Sequence, residues 1–137
     1  MFNLAPVLAS DTEDLGSLGL CRVLLMRDAR YPWLILVPQQ AGLVEIGDLA
    51  RDDRIRLMDE IETASAALVR LYAPDKLNTG ALGNIVRQLH VHIVARNEGD
   101  PAWPGPVWGH SPAEPYADDA LDARIGELRD ALKTAPT

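Results

Sequence analysis

Two short apolar runs constrain this chain more than any other feature. Leu20–Met26 (LCRVLLM) and Trp33–Val37 (WLILV) show no apolar–polar alternation, and only the polar stretch RDAR and Pro32 (with Tyr31 between them) separate them; Pro38 closes the second run. Runs of this length joined by a short turn-forming segment predict neighbouring antiparallel strands. Side chains alternate faces along a strand, so a run that is apolar throughout buries both faces of its sheet. The fold must therefore supply cover on two sides. With 137 residues the chain has the length of one domain, and 47% hydrophobic with 24% charged residues is a globular composition that excludes a disordered or fibrous chain.

Cover for one face is visible in the sequence. From Asp52 to Tyr72 the apolar residues Ile55, Leu57, Met58, Ile61, Ala64, Ala67, Leu68 and Leu71 recur at three- and four-residue spacing, and Ala73-Pro74 follows. This pattern predicts one long amphipathic helix. Phe2–Ser10 carries a short helical spacing, Lys76–Leu82 reads as a weaker strand interrupted by Gly80, and Leu89–Arg96 (LHVHIVAR) is the clearest alternating strand. Residues 98–116 are too proline-rich for a helix or sheet interior, and Asp118–Leu132 predicts a final helix. Neither an internal repeat nor an interdomain linker is visible. The expectation is a single α+β domain over residues 1–137, with its core at about 20–97: an antiparallel sheet of about five strands, one long helix packed on it, and a C-terminal helix.

Charge and cysteine usage narrow the partners. Thirteen Lys plus Arg against twenty Asp plus Glu give a net charge of −7, a field that repels a nucleic-acid backbone. A small anionic ligand then requires local dipoles that overrule the global field. The one cysteine, Cys21, lies inside an apolar run and permits neither an internal disulfide nor a cysteine zinc site, which suits a reducing compartment. No apolar stretch approaches the ~20 residues of a bilayer span. The N-terminal MFNLAPVLASDTED lacks a basic leader. These features predict a cytoplasmic protein with no membrane or nucleic-acid partner.

Chemistry concentrates on the alternating strand. Leu89, Val91, Ile93 and Ala95 share one face, and Gln88, His90, His92, Val94 and Arg96 share the other, which sets two imidazoles roughly 7 Å apart. Three readings of His90 and His92 compete. They can be half-exposed strand residues with no chemical task. They can be metal ligands, since His-x-His on a strand offers two imidazoles to zinc or iron; His110, Glu98 and Asp100 are then the nearby candidates to complete the site. Or one imidazole can serve as a nucleophile on phosphorus, because neutral imidazole is competent near pH 7 and Gly80-Ala81-Leu82-Gly83-Asn84 offers backbone N–H groups to an oxyanion.

Gly83-Asn84-Ile85-Val86-Arg87-Gln88-Leu89-His90-Val91-His92-Ile93-Val94 resembles the signature of the histidine triad family of nucleotide hydrolases and transferases. Leu34–Pro38, Gly47-Asp48-Leu49 and the long helix follow that family's order, so the resemblance spans about residues 20–97. It implies that His90 is the nucleophile on the α-phosphorus of a nucleotide and that His92 donates to phosphate oxygens. Gly83 and Asn84 fall on the phosphate-contacting turn, Asn78 falls near a polar position beside the phosphate, and Asp28 is a candidate for the ribose hydroxyls. A homodimer is implied too, with a Trp- and Pro-containing C-terminal segment able to reach a partner's site. Trp103 and Trp108 could equally plug the open edge of their own core, and His110 reads as exposed.

The sequence departs from the family pattern at three places. Gln88 stands at the first triad position and cannot carry a proton. Ile85 replaces a Ser or Thr, and Trp33 stands where many members have a further histidine. The implied function is hydrolysis or transfer of nucleoside monophosphate groups from diadenosine polyphosphates, nucleoside phosphoramidates or related anhydrides. No protein-bound cofactor is implied, and magnesium would accompany a polyphosphate substrate. The alternatives are a nucleotide-binding module without turnover and a His-x-His metal protein.

Overall fold

The two apolar runs become the centre of a five-stranded sheet in the computed structural model, which describes all 137 residues. In chain order the elements are α1 (Pro6–Asp11), β1 (Thr12–Ser17), β2 (Cys21–Met26), β3 (Trp33–Pro38), a 3-10 turn (Ile46–Asp48), α2 (Arg51–Tyr72), β4 (Lys76–Gly80), β5 (Val91–Arg96) and α3 (Asp118–Leu132). The strand order is β1-β2-β3-β5-β4, and every neighbouring pair is antiparallel. The architecture is α+β, as expected.

Alternation along the central strands splits the interior into two layers. Cys21, Val23 and Leu25 of β2, Leu34 and Leu36 of β3, and Val91, Ile93 and Ala95 of β5 face α2 and α3 in a cluster of 19 buried residues. Leu24, Trp33, Ile35, Val37 and Val94 face the opposite way into a second cluster of nine. Leu8 of α1, with Phe2, Leu4 and Ala5 before it, covers part of that second face, and Ala102, Val107 and Trp108 of the proline-rich segment cover the rest. The N-terminal segment and the 98–116 loop thus supply the second cover that the doubly apolar strands require. Burial holds the Cys21 thiol far above its usual pKa, so it stays protonated as a small core hydrophobe.

Three details differ from the sequence reading. Thr12–Ser17 (TEDLGS) is a strand that its polar, glycine-containing sequence conceals. It sits at the sheet edge, with its register shifted between Asp14 and Gly16 and Gly16 at φ +106°. Ser17 and Ala135 exchange backbone hydrogen bonds of 2.8 and 2.9 Å, which closes part of that edge. The histidine strand begins at Val91 rather than Leu89, so Gln88, Leu89 and His90 lie outside the ladder. On α2, the positions Leu57, Ala64 and Leu68 face the core, whereas Ile55 (49% exposed) and Met58 (65%) lie on the outer surface. The eight apolar positions of that helix are more than one stripe can hold.

Helix termini fix the geometry around the sheet. Asp52 and Asp53 occupy the first turn of α2 and Arg70 its last, matching the helix dipole. Ala73 ends the helix in the left-handed region (φ 43°) and Pro74 forbids its continuation. Glu60 accepts the backbone N–H groups of Leu20 and Cys21 at 2.9 and 2.8 Å, tying the start of β2 to the middle of α2. No helix is long and apolar enough to cross a membrane.

Candidate active site

His90 and His92 lie on the second face of the sheet, both almost fully buried, with ring centroids 4.9 Å apart. Their hydrogen bonds assign each ring a tautomer. His90 Nδ1 lies 2.6 Å from the backbone carbonyl oxygen of Gln88, which can only accept, so Nδ1 carries the proton and Nε2 keeps its lone pair. Trp33 Nε1–H can only donate and does so to His92 Nδ1 at 3.0 Å, so the proton of His92 sits on Nε2. Burial, followed by the neighbouring His90, pushes the pKa of His92 down to about 4, which keeps this ring neutral at pH 7. The pair therefore offers one nucleophilic nitrogen and one neutral N–H donor.

A cavity of about 520 Å³ opens in front of the pair. Trp33 and Trp108 form an aromatic wall: Trp108 lies edge-on, 6.5 Å from Trp33 and 5.5 Å from His92. Leu82 and Ile85 stand exposed at the rim, and Gly83 (φ +73°) and Asn84 form the turn beside His90. From Gly83 to Val86 no backbone N–H donates within the chain, which leaves these donors available to an anion. A second cavity of about 470 Å³ shares Leu82, Gly83, Asn84 and His90 and adds Arg87 and Glu45.

Asp28 lines the first cavity and is 2% exposed. Its Oδ1 accepts from Arg30 Nε at 2.9 Å and from the Arg30 backbone N–H at 3.1 Å, while Oδ2 accepts from Arg30 Nη2 at 2.8 Å. Burial alone would raise the Asp28 pKa, but these bonds and the N–H of Glu114 outweigh it and hold the carboxyl below 3.8. Arg30 also bonds Ser111, so the Asp28–Arg30 pair pins the proline-rich loop to the floor of the cavity.

The remaining sequence candidates divide. Gln88 turns its side chain away from the imidazole pair, accepting from Ala5 N–H and donating to Asn3 O, both at 2.8 Å. Only its carbonyl serves the site. Asn78 does not line the cavity in front of the histidines; its Oδ1 accepts from Arg96 Nη1 at 2.8 Å. Arg96 is itself buried against Asp100, at 2.7 and 2.9 Å, with Tyr31 and Trp103 on its flanks. Asp100 is thereby committed, His110 is exposed on Ser111, and no group of three or more His, Cys, Asp or Glu side chains is arranged to hold a metal ion. Trp33, one of the three departures noted in the sequence, supplies the donor that orients His92. The reading also missed Arg30, whose signal was its place two residues after Asp28 in a turn.

The antiparallel sheet thus carries α2 and α3 on one face and, on the other, α1 beside the paired-imidazole cavity. The HIT domain matches residues 9–99, and the chain belongs to that histidine triad family. Similar solved structures include a histidine triad protein from Sinorhizobium meliloti 1021, with 46% identity, 95% of this chain and 96% of that one covered, and a TM-score of 0.92. A histidine triad protein from Marinobacter aquaeolei VT8 has 45% identity, covers 97% of each chain and has a TM-score of 0.94. One from Bradyrhizobium japonicum has 46% identity, covers 96% of this chain and 98% of that one, and has a TM-score of 0.93. No curated protein matches the sequence.

Proposed function

We propose that this protein transfers or hydrolyses nucleoside monophosphate groups through a nucleotidyl intermediate on His90. One observation carries the reading: the Gln88 carbonyl 2.6 Å from His90 Nδ1 leaves the Nε2 lone pair free on a ring that lines the cavity. Nε2 attacks the α-phosphorus, a P–N bond forms, and the bond to the leaving group breaks with its electron pair on the departing atom. Water then attacks the same phosphorus and releases one proton to solvent, the P–N bond breaks with its electron pair returning to Nε2, and the nucleoside monophosphate leaves. His90 keeps its Nδ1 proton throughout. Neutral His92 donates Nε2–H to a non-bridging oxygen, and the N–H groups at Gly83–Val86 take the developing charge.

The aromatic and apolar wall suits a nucleoside, and the second cavity at His90 gives room for the rest of the molecule. Diadenosine polyphosphates and nucleoside phosphoramidates are the substrates to try, with magnesium arriving on the polyphosphate. A homodimer is part of the same proposal; sedimentation equilibrium tests it, and the exposed Ile55, Met58 and Val69 of α2 are apolar surface available to a second copy.

The competing reading is a nucleotide-binding module without turnover, favoured by the lack of a proton donor at Ile85 and by the engagement of the Gln88 side chain elsewhere. Incubation with each substrate, wild type against His90→Ala, separates the two. Monophosphate release and an adduct mass that both vanish in the variant support the enzyme. Monophosphate binding without release or adduct supports the module.

A further inference from the structure

We propose that Gln88 is a positioning residue: its side chain clamps the N-terminal segment so that its own carbonyl holds the His90 ring. This rests on the reading of His90 as nucleophile. Residue 88 lies outside the sheet ladder, which begins at Val91, and the nearest backbone anchor is Leu89 N–H to Leu43 O at 3.0 Å. Yet the Gln88 carbonyl sets the tautomer of His90. The side chain supplies the missing restraint, accepting from Ala5 N–H and donating to Asn3 O, each at 2.8 Å.

The pairing explains why glutamine occupies this position. A C=O at one residue and an N–H two residues on point the same way from an extended segment, the pattern a neighbouring strand would satisfy. A carboxamide presents a parallel C=O and N–H that meet both at once, whereas the two nitrogens of imidazole diverge and can meet only one. The clamped segment is itself anchored. Phe2, Leu4 and Ala5 pack on the second core cluster, and the Arg22 guanidinium lies 5.2 Å from the centroid of the Phe2 ring. Residues 3–5 thereby become part of the active site although none of them lines the cavity in front of His90.

The minimal perturbation is Ala5→Pro. Ala5 has φ −55° and ψ 135°, which proline adopts without strain, so the substitution keeps the local backbone while replacing the N–H that bonds Gln88 by a ring methylene that displaces the carboxamide. Ala5→Pro, Gln88→Ala and Gln88→His would be compared with wild type in two measurements. Side-chain ¹⁵N spectra report the tautomer of His90 independently of turnover, and steady-state kinetics on the better substrate report kcat and KM. The expected result is a wild-type His90 in the Nδ1–H form and mixed tautomers in Ala5→Pro and Gln88→Ala. In all three variants kcat falls about tenfold, the weight of one hydrogen bond, with KM nearly unchanged. Gln88→His should not recover wild-type kcat despite restoring a third histidine. Folded Ala5→Pro with an unchanged His90 spectrum, or Gln88→His as fast as wild type, would overturn the proposal. Absence of turnover in the wild type would refute the enzymatic reading and leave the spectra to decide the clamp.

Discussion

His92 is buried beside His90, Trp33 and Trp108, and its pKa falls from the ordinary 6.5 to about 4. In the unfolded chain the ring is solvated and takes up its proton near 6.5. Between these two values the unfolded chain binds a proton that the folded chain excludes, so acid favours unfolding in that window. The contribution is fully present above pH 6.5 and is lost as the pH falls to about 4. The gap corresponds to about 3 kcal/mol, or a urea midpoint lower by about 1–2 M. Urea unfolding at pH 7, 5.5 and 4.5 and constant ionic strength measures it directly. His92→Asn provides the control, since an amide oxygen can still accept from Trp33 but the side chain cannot titrate. Asp28 and Asp100 are held below their ordinary 3.8 by Arg30 and Arg96, so their stabilisation is lost only at lower pH. A wild type with no decline between pH 7 and 4.5, or a variant with the same decline, would refute the argument.

Trp33→Phe leaves buried His92 Nδ1 without its donor, at a cost of about 1–3 kcal/mol, and allows the ring to take either tautomer. The variant should melt lower and turn over more slowly, as calorimetry and kinetics will show, while Trp33→His should retain more of both. Arg96→Met abandons the Asp100 carboxylate and Asn78 Oδ1 in a buried site, so stability should fall by about 3–5 kcal/mol in chemical denaturation. Turnover per folded molecule should change little, since Arg96 lies outside the cavity in front of the histidines.

Much of the fold was legible because hydrophobic periodicity is a local signal. The runs at Cys21–Met26 and Trp33–Pro38, helix α2 and helix α3 all stand close to where their apolar spacing put them. Strand β1 was not legible: an edge strand with a bulge needs few apolar residues, and TEDLGS owes its extended state to pairing with β2. The site was legible at the level of residue type. His90, His92, Gly83, Asn84 and Asp28 do meet around one cavity: the glycine turn and the two histidines are neighbours in sequence, whereas Asp28, named on the family resemblance, is brought there from the β2–β3 loop by the fold.

The sequence alone determined that the chain makes a sheet covered on both faces, because the runs at Leu20–Met26 and Trp33–Val37 are apolar throughout, and that two imidazoles lie two residues apart at the start of its last strand; that His90 sits just before the ladder and His92 within it was decided by the fold. Which nitrogen of each ring carries its proton depended on Trp33, 59 residues from His92, and on the Gln88 carbonyl. That Gln88 serves the N-terminal segment, and that Asn78 and Asp100 serve Arg96, depended on contacts that only the folded chain creates. A hydrogen bond needs its partners within about 3 Å and correctly aimed, and sequence separation carries no information about that distance.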